Sequence, residues 1–158
     1  MPGTVADMTQ DFATAAVELA RELDVTLDYS EDSLQLVEQI LAQLHDEVQN
    51  SNTAASANSM LAGSPPPTGP DPEQMKEMCK LWGSYFGEVV RRRWGGDWSI
   101  ESYPGGEFAT LTLTVGAGKI FPSMKVYRRL TEGAQDNVWD FYQQIRKKFA
   151  AAPGSAVQ

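Results

Sequence analysis

With 158 residues, 42% of them hydrophobic and 9% aromatic, the chain has the composition of a globular protein with one sizeable core. No stretch approaches the roughly 18 apolar residues of a membrane span, and residues 1–8 lack the basic and apolar regions of a secretion signal, so a cytoplasmic protein is expected. The formal charge of −8 is unevenly spread: residues 1–72 hold twelve acidic residues against one basic, Arg21, whereas residues 73–158 hold nine against twelve, which suits docking of one half on the other and weakens any nucleic-acid reading.

Val5, Met8, Phe12, Ala15, Leu19 and Leu23 recur at helical spacing and predict a helix over 4–23. A second helix follows, started by Asp28 with Glu31 or by Ser30 alone, with Leu34, Val37, Ile40, Leu41, Leu44 and Val48 as its apolar stripe. The two are expected to form an antiparallel hairpin too small to stand alone, which must pack on the rest of the chain or on another chain. Residues 49–70 are small, polar and proline-rich and read as a linker, with Pro65-Pro66-Pro67 as a weak candidate polyproline ligand.

Asp71-Pro72-Glu73-Gln74 is a helix start with Asp71 as N-cap. The helix it opens has Met75, Met78, Trp82, Phe86 and Val89 on its buried stripe, three arginines at its end and Gly95-Gly96 to stop it. Beyond it the period falls to 2. Turn signals at 103–106 and 116–118 then predict three antiparallel strands over 98–103, 107–115 and 119–129, with Pro122 placing the third at an edge or breaking it. Val138, Phe141, Tyr142, Ile145 and Phe149 mark a last helix.

The expected fold is α+β: an acidic N-terminal helical hairpin (1–48), a flexible Ser/Ala/Pro linker (49–70), a core domain (71–150) of helix, three-stranded antiparallel sheet and C-terminal helix, and a flexible tail (151–158).

Gly83 and Gly87 stand inside a helix, where each costs about 1 kcal/mol relative to alanine. Close packing against the threonine-rich strand or the last helix explains them better than a ligand at bare backbone. Glu88 has Arg91 and Arg92 three and four residues on, a surface ion pair by default. Arg91, Arg92, Arg93, Trp94, Trp98, Lys125, Tyr127, Arg128 and Arg129 mix basic and aromatic residues as partner-binding surfaces do, although such side chains also cover exposed sheet faces. Cys79, the one cysteine, excludes an intramolecular disulfide, fits a reducing compartment and reads as a buried thiol; His45, the one histidine, reads as a surface residue. A zinc site, a Ser-His-Asp triad and a Cys-His dyad are therefore improbable. Residues 115–120 lack the first glycine and the Ser/Thr of a phosphate loop, so no nucleotide or other cofactor is expected.

Gly83-x-Tyr85-x-Gly87-Glu88-Val89, followed by Trp98, Pro122 and Lys125-Val126-Tyr127-Arg128-Arg129-Leu130, resembles a loose group of small bacterial proteins of unknown function. Some of these sit among toxin-immunity and other interaction proteins. The likeness covers residues 71–150 and implies an α+β fold without assigning a catalytic residue. The leading expectation is a non-enzymatic protein-interaction module, one version being an acidic protein that neutralises a basic toxin or effector. Glu88, Arg91, Arg92, Arg93, Trp94, Trp98, Tyr127 and Arg128 are the candidate partner-binding residues. The alternatives are a hydrolase-like enzyme using Glu88 in a pocket with Tyr85 and Trp98, and a nucleic-acid binder using the arginine/aromatic surface.

Overall fold

The computed structural model describes residues 4–62, 72–102, 109–116 and 118–151. In chain order the elements are α1 (Val5–Glu22), α2 (Ser33–Ala62), α3 (Pro72–Trp94), β1 (Asp97–Ser102), β2 (Ala109–Val115), β3 (Gly118–Ile120), α4 (Pro122–Thr131), a single 3₁₀ turn (Ala134–Asp136) and α5 (Val138–Ala151). The strands form one antiparallel sheet in the order β1-β2-β3, so the chain is α+β. Trp98 pairs with Leu113, and Leu113 with Ile120, which puts these three apolar side chains on one face of the sheet.

The centre of the molecule is α3. Residues 82–90 are all buried, so this stretch is enclosed on every side rather than along one stripe. α1 and α4 flank it, and the sheet closes a third side. Gly83 and Gly87 are what let the neighbours approach. A Cβ at Gly83 would stand 2.7 Å from the backbone of Ser123 at the start of α4, and one at Gly87 would stand 2.1 Å from the Trp98 ring. Packing is thus the reason for both glycines, as the sequence suggests. Their neighbours are α4 and a β1 side chain, not the threonine-rich strand or the last helix.

Two segments differ from the sequence expectation. Residues 119–129 do not form a long third strand: β3 stops at Ile120 and α4 begins at Pro122. A proline at the first helical position suits the start of a helix, and Pro122, Val126 and Leu130 then fall at four-residue steps on the buried face. The linker expectation also fails over 49–62, where α2 continues to Ala62. No glycine or proline interrupts residues 33–62, and five alanines in that span favour the helix. The rest of that linker with Pro65–Pro67, the Asp71 cap, the 103–106 turn, Ala117 and residues 152–158 lie outside the described residues.

The first two helices reach the core separately. α1 lies on α3 and β1, bringing Ala13, Ala16 and Ala20 to the contact, whereas α2 lies on α4 and α5. An ion pair between the buried Arg129 and the partly buried Glu38 fixes the second contact: Arg129 of α4 donates from Nε and Nη2 to Glu38 of α2 at 2.7–3.0 Å, and Glu38 also accepts the backbone N–H of Val138 at the start of α5. One carboxylate therefore holds three helices together. His45, expected on the surface, is half-buried and donates from Nδ1 to the Leu130 carbonyl at 2.8 Å, while Gln49 one turn on reaches the Thr131 carbonyl. Both side chains of α2 satisfy carbonyls that the end of α4 leaves free. Cys79 is buried as expected, and burial pushes its thiol up to about 12.

Three outcomes follow for urea denaturation. Gly83→Ala and Gly87→Ala should each lower stability by about 1–3 kcal/mol through overpacking, despite the helix-propensity gain. Gly118→Ala, where a Cβ would meet nothing closer than 3.7 Å, should change it by less than about 0.5 kcal/mol. Arg129→Ala should cost about 3–5 kcal/mol, because it leaves the Glu38 carboxylate without its cation.

Candidate functional site

The end of α3 carries five of the eight candidate residues and β1 a sixth, Trp98, and the structure joins Arg91, Arg92 and Trp98 in one network around Glu88. Glu88 is 1% exposed, so it is not the surface ion pair that its spacing suggests. Its Oε2 accepts Arg91 Nε at 2.7 Å and the indole N–H of Trp98 at 2.7 Å; its Oε1 accepts Arg91 Nη2 at 2.9 Å and faces Arg92 at 3.7 Å. Burial opposes ionisation of this carboxyl. The hydrogen bonds from Arg91 and Trp98 and the charges of Arg91 and Arg92 outweigh that and hold it below its ordinary value of 4.5. The Arg91 guanidinium is correspondingly stabilised in its charged form by the Glu88 hydrogen bond.

The other members of this group are also engaged within the chain. Arg92 lies over the Tyr29 ring at 3.6 Å, a cation–π contact on the α1–α2 connection. Tyr29 has a φ of +64°, a conformation that a bulky side chain holds only when its surroundings enforce it. Tyr85 supplies that constraint: its hydroxyl accepts the Tyr29 backbone N–H at 2.8 Å, and its ring packs, tilted by 33°, with centroids 4.8 Å apart against Tyr29. The Tyr85 hydroxyl also bonds Ser33 Oγ at 2.7 Å. Tyr85 thus points toward the α1–α2 connection and not into a pocket with Glu88 and Trp98. Arg93 faces Glu31 at 3.3 Å, and Trp94 is half-buried with its ring against Tyr142 at 5.7 Å. Glu31 accepts the Tyr142 hydroxyl and also faces Arg146; burial first, then the Glu31 contact, raises the Tyr142 phenol above its usual range. Glu31 therefore serves α3 and α5 rather than a cap with Asp28, whose Oδ1 accepts the Ser30 N–H.

The remaining two candidates, Tyr127 and Arg128, lie on α4. Tyr127 is 44% exposed, and Arg128 faces the buried Asp136 at 3.4 Å, a carboxylate it shares with Lys125 at 3.1 Å. Arg128 and Lys125 also border a cleft of about 390 Å³ between β3, α4 and α5, which sequence reasoning missed. Its apolar lining comes from Ile120, Phe121, Met124, Phe141 and Ile145, and Lys119 and Lys148 join the two α4 cations around it. With 119–129 read as a strand, no helical face existed to line a cleft, and Lys148 on α5 had nothing to meet.

Among the described residues no group of three or more His, Cys, Asp and Glu is placed to hold a metal ion, and no helix is long and apolar enough to cross a membrane. Comparison with known proteins gives no match: no family model, no curated protein and no solved structure is similar to this chain.

The Glu88 network has a testable acid response. A carboxyl held below its ordinary pKa adds stability that is complete above pH 4.5 and lost as the pH falls through the lowered native value. Glu88→Gln should therefore unfold about 1–3 kcal/mol more easily at pH 7. That deficit should close on acidification below pH 4.5 in parallel urea titrations of the two proteins.

Proposed function

We propose that the chain is a non-enzymatic protein-interaction module that takes a basic partner on the exposed face of α1. The observation that carries this reading is a stripe of carboxylates with no cation opposite it. Asp7, Asp11, Glu18 and Glu22 are exposed and, with Thr14, follow one another at three- and four-residue steps along a single face of α1. The opposite face, with Thr9, Ala13, Ala16 and Ala20, is buried. Asp7 is used by the helix cap, accepting the Thr4 N–H, but Asp11, Glu18 and Glu22 have no ion pair among the described residues. Arg21 is the one cation within α1, Lys80 of α3 lies over the Phe12 ring at 5.9 Å, and Leu19 and Leu23, 37% and 51% exposed, add apolar contact area at the end of the stripe.

This assignment moves the working surface away from the arginine/tryptophan group. Those arginines meet Glu88, Glu31 and Tyr29 of their own chain, which supports a structural role and leaves little free cation for a phosphate backbone. The hydrolase alternative loses its acid, since Glu88 is buried and bonded to Arg91 and Trp98. Neutralising a basic toxin or effector is the form of binding suggested by the resemblance to a group of unknown function, some of whose members sit among toxin-immunity proteins, and the acidic stripe has the charge for it.

The test compares the wild-type chain with a triple variant carrying Asp11→Lys, Glu18→Lys and Glu22→Lys, both shown to melt alike. The wild-type chain should retain one stoichiometric basic protein from its native extract, with retention falling as salt rises, and the variant should not. Equal retention by both, or no stoichiometric partner at low salt, overturns the reading.

A further inference from the structure

We propose that the cleft between β3, α4 and α5 is a binding site for a small amphipathic carboxylate, an acyl or aromatic acid with one anionic head and an apolar body. The site is independent of the α1 stripe. Its volume of about 390 Å³ lies in the range of small-ligand pockets, and its lining divides into two chemically distinct parts. Ile120, Phe121, Met124, Phe141 and Ile145 offer an apolar wall, of which Ile145 is buried and the others are partly exposed. Lys119, Lys125, Arg128 and Lys148 surround that wall with positive charge.

The charges do not cancel. Lys119 faces Glu101, and Lys125 and Arg128 share the one carboxylate of Asp136, while Lys148 has no acidic partner among the described residues. Four cations thus face two carboxylates in a chain whose net charge is −8. A concave, low-dielectric wall concentrates the field of such an excess and attracts an anion. Lys148 stands close to the start of β3 at the edge of the cleft, its Nζ 3.9 Å from where a Cβ on Gly118 would lie. Lys125 leans over the Phe141 ring at 4.9 Å, which leaves its ammonium at the boundary between the charged and apolar parts. An apolar alcohol would leave the unpaired ammonium unanswered, and a short acid would leave the wall wet; a ligand with both parts meets both.

The probes are decanoate, decanol and acetate, titrated at low ionic strength into full-length protein with ¹³C-labelled methionine and isoleucine methyl groups. Decanoate should shift the methyl signals of Met124, Ile120 and Ile145 and bind at least about tenfold more tightly than either control. Lys148→Glu, which touches no ion pair, should melt as the wild type does and weaken decanoate about tenfold while leaving decanol unchanged. Equal binding of decanoate and decanol, methyl shifts confined to other residues, or no effect of Lys148→Glu each overturns the assignment. A negative result here leaves the α1 reading untouched, because that reading is scored on carboxylates at the opposite end of the chain.

Discussion

A carboxylate out of reach of water, Glu88, sets the arrangement of the centre of this protein. It sits on the one helix that is enclosed on all sides, and an ion in that position is tolerable only if donors surround it. Arg91 supplies two hydrogen bonds from the next turn of the same helix, and Trp98 supplies a third from β1. For Trp98 to reach it, the ring must lie across α3, and only a residue without a side chain leaves room there, which is the position of Gly87. Gly95 and Gly96, both with positive φ, turn the chain out of α3 so that β1 can bring the indole back. Strand, turn and helix are thus tied to one acid, and the sheet inherits its position from that tie through the pairing of Trp98 with Leu113.

A second, partly buried acid does the same for the outer helices. Glu38 accepts from Arg129 and from the backbone of Val138, so α2, α4 and α5 meet at one residue. Glu31, on the connection before α2, faces Arg93 and Arg146. These three contacts show what the uneven charge along the sequence is for. Acids from the first 72 residues meet arginines from the remainder, and such pairing selects the docking geometry more than it adds stability. The acids left over lie on α1, and the cations left over border the cleft on the far side of α4.

Much of the fold is legible in the sequence where local signals agree. Pro72 at the start of α3 and Gly95-Gly96 at its end mark that helix to the residue, and the Leu111–Thr112–Leu113–Thr114 alternation marks β2. The failures have physical causes. The turn signal at 116–118 sets up residues 119–129 as a further strand, and Pro122 is ambiguous between breaking a strand and opening a helix until Gly83 is seen to receive the α4 backbone. The tract at 49–62 looks like a linker by composition, yet it contains no residue that prevents a helix. The site was harder. Periodicity assigns Glu88 to the flank of a stripe and hence to the surface, whereas the neighbouring run Trp82–Val90 contains no other charge and two glycines, a sign of enclosure on every side. The gathering of Glu88, the three arginines, Trp94 and Trp98 is readable from sequence; that Glu88 takes Arg91 and Trp98 while Arg93 and Trp94 turn to Glu31 and Tyr142 is visible only in the structure.

The account rests on a Glu88 that is ionised, enclosed and bonded to the Trp98 indole, and the indole N–H resonance of Trp98 reports all three. Its exchange with solvent and its chemical shift should be followed between pH 7 and pH 2.5 by NMR, with the signal assigned by Trp98→Phe. A proton protected from exchange at pH 7, with a shift that titrates at a midpoint below 4.5, is the predicted result. An indole that exchanges as a free side chain does, or a midpoint at or above 4.5, would contradict it.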